Sequence, residues 1–170
     1  MRELERTFLA KYLPQGIEIF DCKEIIDIYI PKGSRHPVLR LRKNGEKYEM
    51  TKKEPVREGD ASNMNEQTIT LAREEFDALK RIRGKIVHKF RYIYPFGPHT
   101  AEIDVFQEEL EGLVIVDFEF NSLEEKDAFK MPAFCLAEIT QDEALAGGML
   151  CGKSYEEIGP VLEKYGYRKL

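Results

Sequence analysis

A mainly β (α+β) chain that closes into an eight-stranded antiparallel barrel with short peripheral helices is the fold predicted by three observations. Apolar side chains recur at every second position over eight segments, and nearly all of these segments carry charge on the alternate face. The helical stretches between them are few and too short to form a core for every strand. Apolar faces turned outward under those helices, with charged faces turned into a lumen, satisfy both patterns at once.

In chain order, the first strand is expected at 2–9, where RELERTFL sets Glu3, Glu5 and Thr7 on one face and Leu4, Arg6 and Phe8 on the other. Strands at 23–30, 37–43 and 46–53 follow, the last two aligning Arg40 with Arg42 and Thr51 with Lys53. EPVREGDASNMNEQ is polar and turn-rich, and reads as a surface loop. TLAREEFDALKRIRG spaces Ala72, Phe76 and Leu79 helically behind a Thr70 cap. The strand at 85–94 aligns Lys89 with Arg91, that at 100–107 Glu102 with Asp104, that at 112–120 Asp117 with Glu119, and 134–140 contributes Glu138. Capping-box spacing of Ser122 with Glu125, Thr140 with Glu143 and Ser154 with Glu157 predicts short helices near 123–130, 141–150 and 155–165.

Composition limits the function classes. The chain has 170 residues, 42% of them hydrophobic, which suffices for one sizeable core, so residues 1–170 read as a single domain. It is charged from Arg2 onward, and its most apolar run, GLVIVDFEF, is interrupted by Asp117 and Glu119. Neither a signal peptide nor a membrane span is therefore expected, and the cytoplasm is the expected compartment. Cys22, Cys135 and Cys151 are odd in number and form no CxxC pair, so they are expected to be reduced core thiols rather than disulfides or zinc ligands. The net charge of -5 argues against nucleic acid as the default partner.

Barrels normally fill with apolar side chains, so a charged lumen implies a ligand. Five bases (Arg40, Arg42, Lys53, Lys89, Arg91) and seven acids (Glu3, Glu5, Glu102, Asp104, Asp117, Glu119, Glu138) share the charged faces, a nominal charge of -2. Arg and Lys suit phosphate oxygens, and alternating carboxylates suit Mg²⁺ or Mn²⁺. A net acidic lumen repels a bare polyanion, which points to a metal–polyphosphate complex. The alternative is a ligand-free lattice of salt bridges, Arg40 and Arg42 with Glu3 and Glu5, Lys89 and Arg91 with Glu102 and Asp104.

In order and spacing, ELERT, IIDIYI, VLRLRKNGEKYEMTKK, HKFRYIY, EIDVF, LVIVDFEF and FCLAEIT resemble the CYTH or triphosphate tunnel metalloenzyme family over most of the chain. That family includes inorganic tripolyphosphatases, thiamine triphosphatases, RNA triphosphatases and class IV adenylyl cyclases. The resemblance implies that Glu3 and Glu5, with Asp117 and Glu119, hold the metal, and that Arg40, Arg42, Lys53, Lys89 and Arg91 grip the triphosphate. Glu102 and Glu138 are the candidates to hold an attacking water, and Lys89 to stabilise charge in the transition state. The implied activity is metal-dependent hydrolysis of a small-molecule triphosphate or polyphosphate. Inorganic tripolyphosphate comes first because the chain shows no extra nucleoside-binding segment. An adenylyl cyclase is the alternative, and a homodimer is left open. A noncatalytic polyphosphate- or nucleotide-binding module is the third reading, because Thr7 stands where the family signature Glu-x-Glu-x-Lys has lysine. Two further departures are Asp117 in place of the usual glutamate, and QDEALAGG where the family often carries Tyr and Asn.

Overall fold

The computed structural model describes residues 2–170. The strands are β1 (Arg2–Ala10), β2 (Cys22–Ile30), β3 (Leu39–Asn44), β4 (Lys47–Pro55), β5 (Asn63–Leu71), β6 (Lys85–Phe96), β7 (His99–Phe106), β8 (Val114–Phe120) and β9 (Cys135–Glu138). They pair in the order β5-β4-β3-β2-β6-β7-β8-β1-β9, and an added β5–β1 pairing closes the first eight into an antiparallel barrel. β9 is an extra strand on β1, whose free edge it takes at Phe8 to Ala10 while β5 takes Arg2 to Leu4. Closure leaves the barrel wall without an edge, which is the physical reward for pairing so short a stretch of β5 with β1.

The eight-stranded expectation holds, but its membership changes. The stretch read partly as surface loop contains β5, and the segment expected as the eighth wall strand is β9. Helix α1 (Arg73–Leu79) begins after Ala72, whose N–H is held by the Glu75 carboxylate at 2.7 Å, so Thr70 is a strand residue and not its cap. Ser122 and Ser154 cap α2 (Leu123–Ala128) and α4 (Tyr155–Glu163) as expected. Thr140 does not cap; Asp142 does, over a 3-10 turn at Glu143–Leu145 that precedes α3 (Gly147–Leu150).

Three apolar clusters place the core. On one outer side, Leu4, Phe8, Val116 and Phe118 pack under Phe129 and Phe134, with the Phe118 and Phe129 rings 4.5 Å apart. On another, Ile28 and Leu41 are covered by Phe76 of α1. The third cluster plugs one end of the barrel: Leu9, Tyr29, Val87, Phe106 and Ile115 meet Leu150, Ile158 and Leu162 of the C-terminal helices. The lumen is thus apolar and closed at that end, which confines its charge to the remainder. At the β3–β4 hairpin, Gly45 has φ 56°, the positive value required at the first position of a two-residue turn. Cys135 and Cys151 are buried, but Cys22 is exposed and is not the core thiol expected. Among the described residues, no helix is long and apolar enough to cross a membrane.

Candidate active site

Directly opposed residues of an antiparallel pair share a face, so the register can be followed around the wall. Glu5 opposes Glu119 and Thr7 opposes Asp117. Asp117 opposes Glu102, Asp104 opposes Arg91, and Lys89 opposes Ile25. Asp27 opposes Arg42, Arg40 opposes Thr51, Lys53 opposes Glu66, and Met64 returns the circuit to Glu3. Ten of the eleven predicted site residues therefore lie on one inner face: Glu3, Glu5, Arg40, Arg42, Lys53, Lys89, Arg91, Glu102, Asp117 and Glu119.

Glu138 is the correction. It opposes Phe8, on the outward face of β1, and accepts from Arg6 Nε at 3.0 Å and from Thr140 at 2.7 Å. Arg6 also donates to the Phe129 carbonyl at 2.8 Å, so Arg6 fastens both β9, through Glu138, and the α2 region to the outside of β1. Asp27 replaces it on the inner face, which leaves seven acids against five bases. Register adds Glu49 and Glu66 to the same face and makes it more acidic still. Asp27 was missed although IIDIYI signals it: a lone carboxylate alternating with isoleucine and tyrosine in an apolar strand needs an internal partner.

The bases are tied to particular acids. Arg42 forks onto Asp27, with Nε to Oδ1 at 2.7 Å and Nη2 to Oδ2 at 2.8 Å. Arg91 forks onto Asp104 at 2.6 and 2.7 Å and also reaches Glu102, while Lys89 shares Asp104. Lys53 Nζ lies 2.8 Å from both Glu3 and Glu5. Thr7 Oγ1 donates to Asp117 at 2.8 Å. Half of the ligand-free lattice is thus realised, through Lys89, Arg91, Glu102 and Asp104, while Glu3 and Glu5 take Lys53. Arg40 has no carboxylate within ion-pair distance among the described residues; its side chain hydrogen-bonds the Tyr29 hydroxyl, and its buried Nε has no hydrogen-bond partner. A guanidinium in a lumen with no carboxylate to neutralise it and one buried donor unsatisfied is suited to receive an anion.

Titration behaviour divides the acids into two kinds. Burial raises Asp27 and Asp104, but Arg42 overrides it at the first and Arg91 with Lys89 at the second, so both stay ionised well below the ordinary carboxylate range. Glu119 goes the other way. Partial loss of hydration inside the barrel mouth, reinforced by the charges of Glu102 and Glu3, pushes it up to about 7, although the side chain keeps contact with solvent. Burial also raises Glu5, against the pull of Lys53 and with the push of Asp117 and Glu3. Carboxylates that repel one another in this way gain from a shared cation. Among the described residues, no three such side chains converge as a preformed metal cage; the Lys53 ammonium holds the position between Glu3 and Glu5. The donor set, all hard carboxylate oxygen with one internal cation already seated, fits a divalent ion that displaces that ammonium. A cavity of 210 Å³ bounded by Glu102, Glu119, His99 and Glu125 adjoins these carboxylates.

No protein-family model matches the chain. An inorganic triphosphatase from Nitrosomonas europaea is 33% identical over 146 residues, 84% of this chain and 92% of the relative. The crystal structure of an inorganic triphosphatase superposes with TM-score 0.63 at 27% identity, over 88% of this chain and 93% of the other. A candidate adenylate cyclase from Bacillus halodurans shares the fold, with TM-score 0.55 at 14% identity, over 99% and 93% of the two chains.

Proposed function

The chain belongs to the inorganic triphosphatase family, and from that premise we propose that it hydrolyses inorganic tripolyphosphate with Mg²⁺ or Mn²⁺ inside the charged part of the barrel. Residues 1–170 are taken as one domain of the triphosphate tunnel type, working in the cytoplasm. The observation that carries this reading is the inner face itself, where five bases and a crowd of mutually repelling carboxylates share one closed wall.

In this reading Arg40, Arg42, Lys89 and Arg91 donate charge-assisted hydrogen bonds to the phosphate oxygens, and Lys89 stabilises the charge that grows as the terminal P–O bond breaks. Glu3, Glu5, Asp117 and Glu119 hold the divalent ion, which when bound neutralises phosphate charge and acidifies water. Lys53, released from Glu3 and Glu5, turns its ammonium to the substrate. Glu102 is the carboxylate that orients the attacking water and takes its proton, in line with its place opposite Asp117.

The test is a phosphate-release panel with tripolyphosphate, thiamine triphosphate, ATP and GTP, each with Mg²⁺, Mn²⁺ or chelator, beside an assay for cyclic AMP. Tripolyphosphate is expected to give the fastest release and chelator to stop it. Cyclic AMP without phosphate, or tight binding of every substrate without turnover, would replace the hydrolase reading. Even the outer-sphere partners of a metal are commonly worth 10–100-fold, so removing a carboxylate assigned to the metal itself, in Glu5→Gln or Asp117→Asn, should lower kcat by about 10² or more. Lys53→Met is expected to bind Mn²⁺ more tightly than wild type in substrate-free calorimetry, because Glu3 and Glu5 lose their internal cation. Equal affinity would show that Lys53 does not guard the metal carboxylates.

A further inference from the structure

Asp27 sits in CKEIIDIYI, a strand otherwise rich in isoleucine, and is 1% exposed. A buried ion pair is rarely retained for stability, since apolar residues of similar volume often serve as well or better. Its geometry suggests another use. The Asp27 oxygens take the Nε and one Nη2 hydrogen of Arg42 as a planar fork. No other hydrogen bond from Arg42 is formed among the described residues, so the remaining guanidinium donors are uncommitted on a side chain that is 8% exposed.

The surroundings add a second role. Arg40 is the next inward residue of β3, and Lys89 faces the same lumen from β6. Both lie close enough for their charge to act on the Asp27 carboxylate. Without Asp27, three bases would face one another across the lumen with less reason to hold any one geometry.

We infer that Asp27 is a positioning residue for triphosphate binding, acting through Arg42: its carboxylate locks the guanidinium so that the free donors are set before substrate arrives. The inference rests on the reading of this face as a triphosphate site. It also carries a sign that separates it from plain electrostatics. Removing a negative charge near a polyanion strengthens binding if only charge matters, whereas releasing Arg42 weakens it.

The experiment is a double-mutant cycle on tripolyphosphate kinetics with Asp27→Asn, Arg42→Lys and the double variant. Asn cannot accept both prongs of the fork, and Lys keeps the charge but cannot form it. Each single change is expected to raise KM by about tenfold with kcat within about threefold, because Arg42 grips ground state and transition state alike. The double variant should be no worse than the poorer single. Unchanged or lower KM in Asp27→Asn, or a double effect equal to the product of the singles, overturns the inference. If Asp27→Asn does not fold, Arg42→Lys decides: a KM within twofold of wild type is then the overturning result. Loss of the triphosphatase reading is a distinct outcome, seen as absence of turnover in the wild type, and it removes this inference as well.

Discussion

Urea denaturation of Asp104→Ala is expected to show a loss of about 3–5 kcal/mol, the cost of stripping the shared partner from buried charges. Asp104 is 1% exposed and accepts from Arg91 at 2.6 and 2.7 Å as well as from Lys89. Truncation leaves Lys89 without its ion-pair partner and Arg91 with Glu102 and the more distant Asp117. Against a typical domain stability of about 5–15 kcal/mol, that loss is a large share. Asp104→Asn keeps the volume and some hydrogen bonding and should cost less. A loss under about 1 kcal/mol for Asp104→Ala would mean that the two bases find solvent through the lumen. The pH dependence has a definite sign. Asp104 is held at about 2 in the folded chain, below the ordinary 3.8. As pH falls, the unfolded chain therefore takes up its proton first. The contribution is complete above about pH 4 and is lost as pH drops from there toward 2. Asp27, depressed in the same direction by Arg42, adds to the same acid limb. Asp104→Asn should flatten that limb in acid titrations followed by circular dichroism.

How much of this could be read beforehand differs by element. Strands that bury one face and charge the other declared themselves, because the alternation VIVDFEF or TAEIDVF reports two environments at once. β5 did not. Its inward positions include Glu66, Thr68 and Thr70, and its outward ones include Asn65, Gln67 and an Ile69 that is 57% exposed, so neither face carries an apolar signal. Its place is fixed by its neighbours: β4 and β1 need a partner to close the ring, a constraint that no local pattern contains. Glu138 failed for a related reason. Period two tells which residues of one strand share a face, but not which face is inside, and β9 lies outside the closed wall. Pairing partners were equally hidden, since the choice of Asp27 for Arg42 and of Lys53 for Glu3 and Glu5 depends on barrel register. The charged inner face was legible because it recurs on nearly every strand, and recurrence survives an error in any one of them.

Thr7→Lys is expected to raise kcat for tripolyphosphate by about 10–10²-fold while changing KM less. Thr7 follows Glu5 on the inner face of β1 and donates its hydroxyl to Asp117 at 2.8 Å, so a lysine there would bring an ammonium among the carboxylates that border the reacting phosphates. Of the five lumen bases, four are held by carboxylates, Lys53 by Glu3 and Glu5, Lys89 and Arg91 by Asp104, and Arg42 by Asp27, which leaves Arg40 as the one without a carboxylate among the described residues. A preorganised donor at developing charge is commonly worth 10²–10³ in rate, and part of that is available to a new cation if its side chain reaches the phosphate. The competing outcome is set by the same hydrogen bond. If the lysine instead pairs with Asp117, it occupies a metal carboxylate, and kcat falls together with Mn²⁺ affinity in calorimetry. Thr7→Val separates these effects, since it keeps the branched shape and removes only the hydroxyl that steadies Asp117. A drop of about threefold to tenfold in Thr7→Val with a gain in Thr7→Lys means that the two positions of charge, on Asp117 and on the transferring phosphoryl group, are served by different atoms. A fall in both variants means that the threonine hydroxyl is itself the group this site requires, and that its loss cannot be offset by charge.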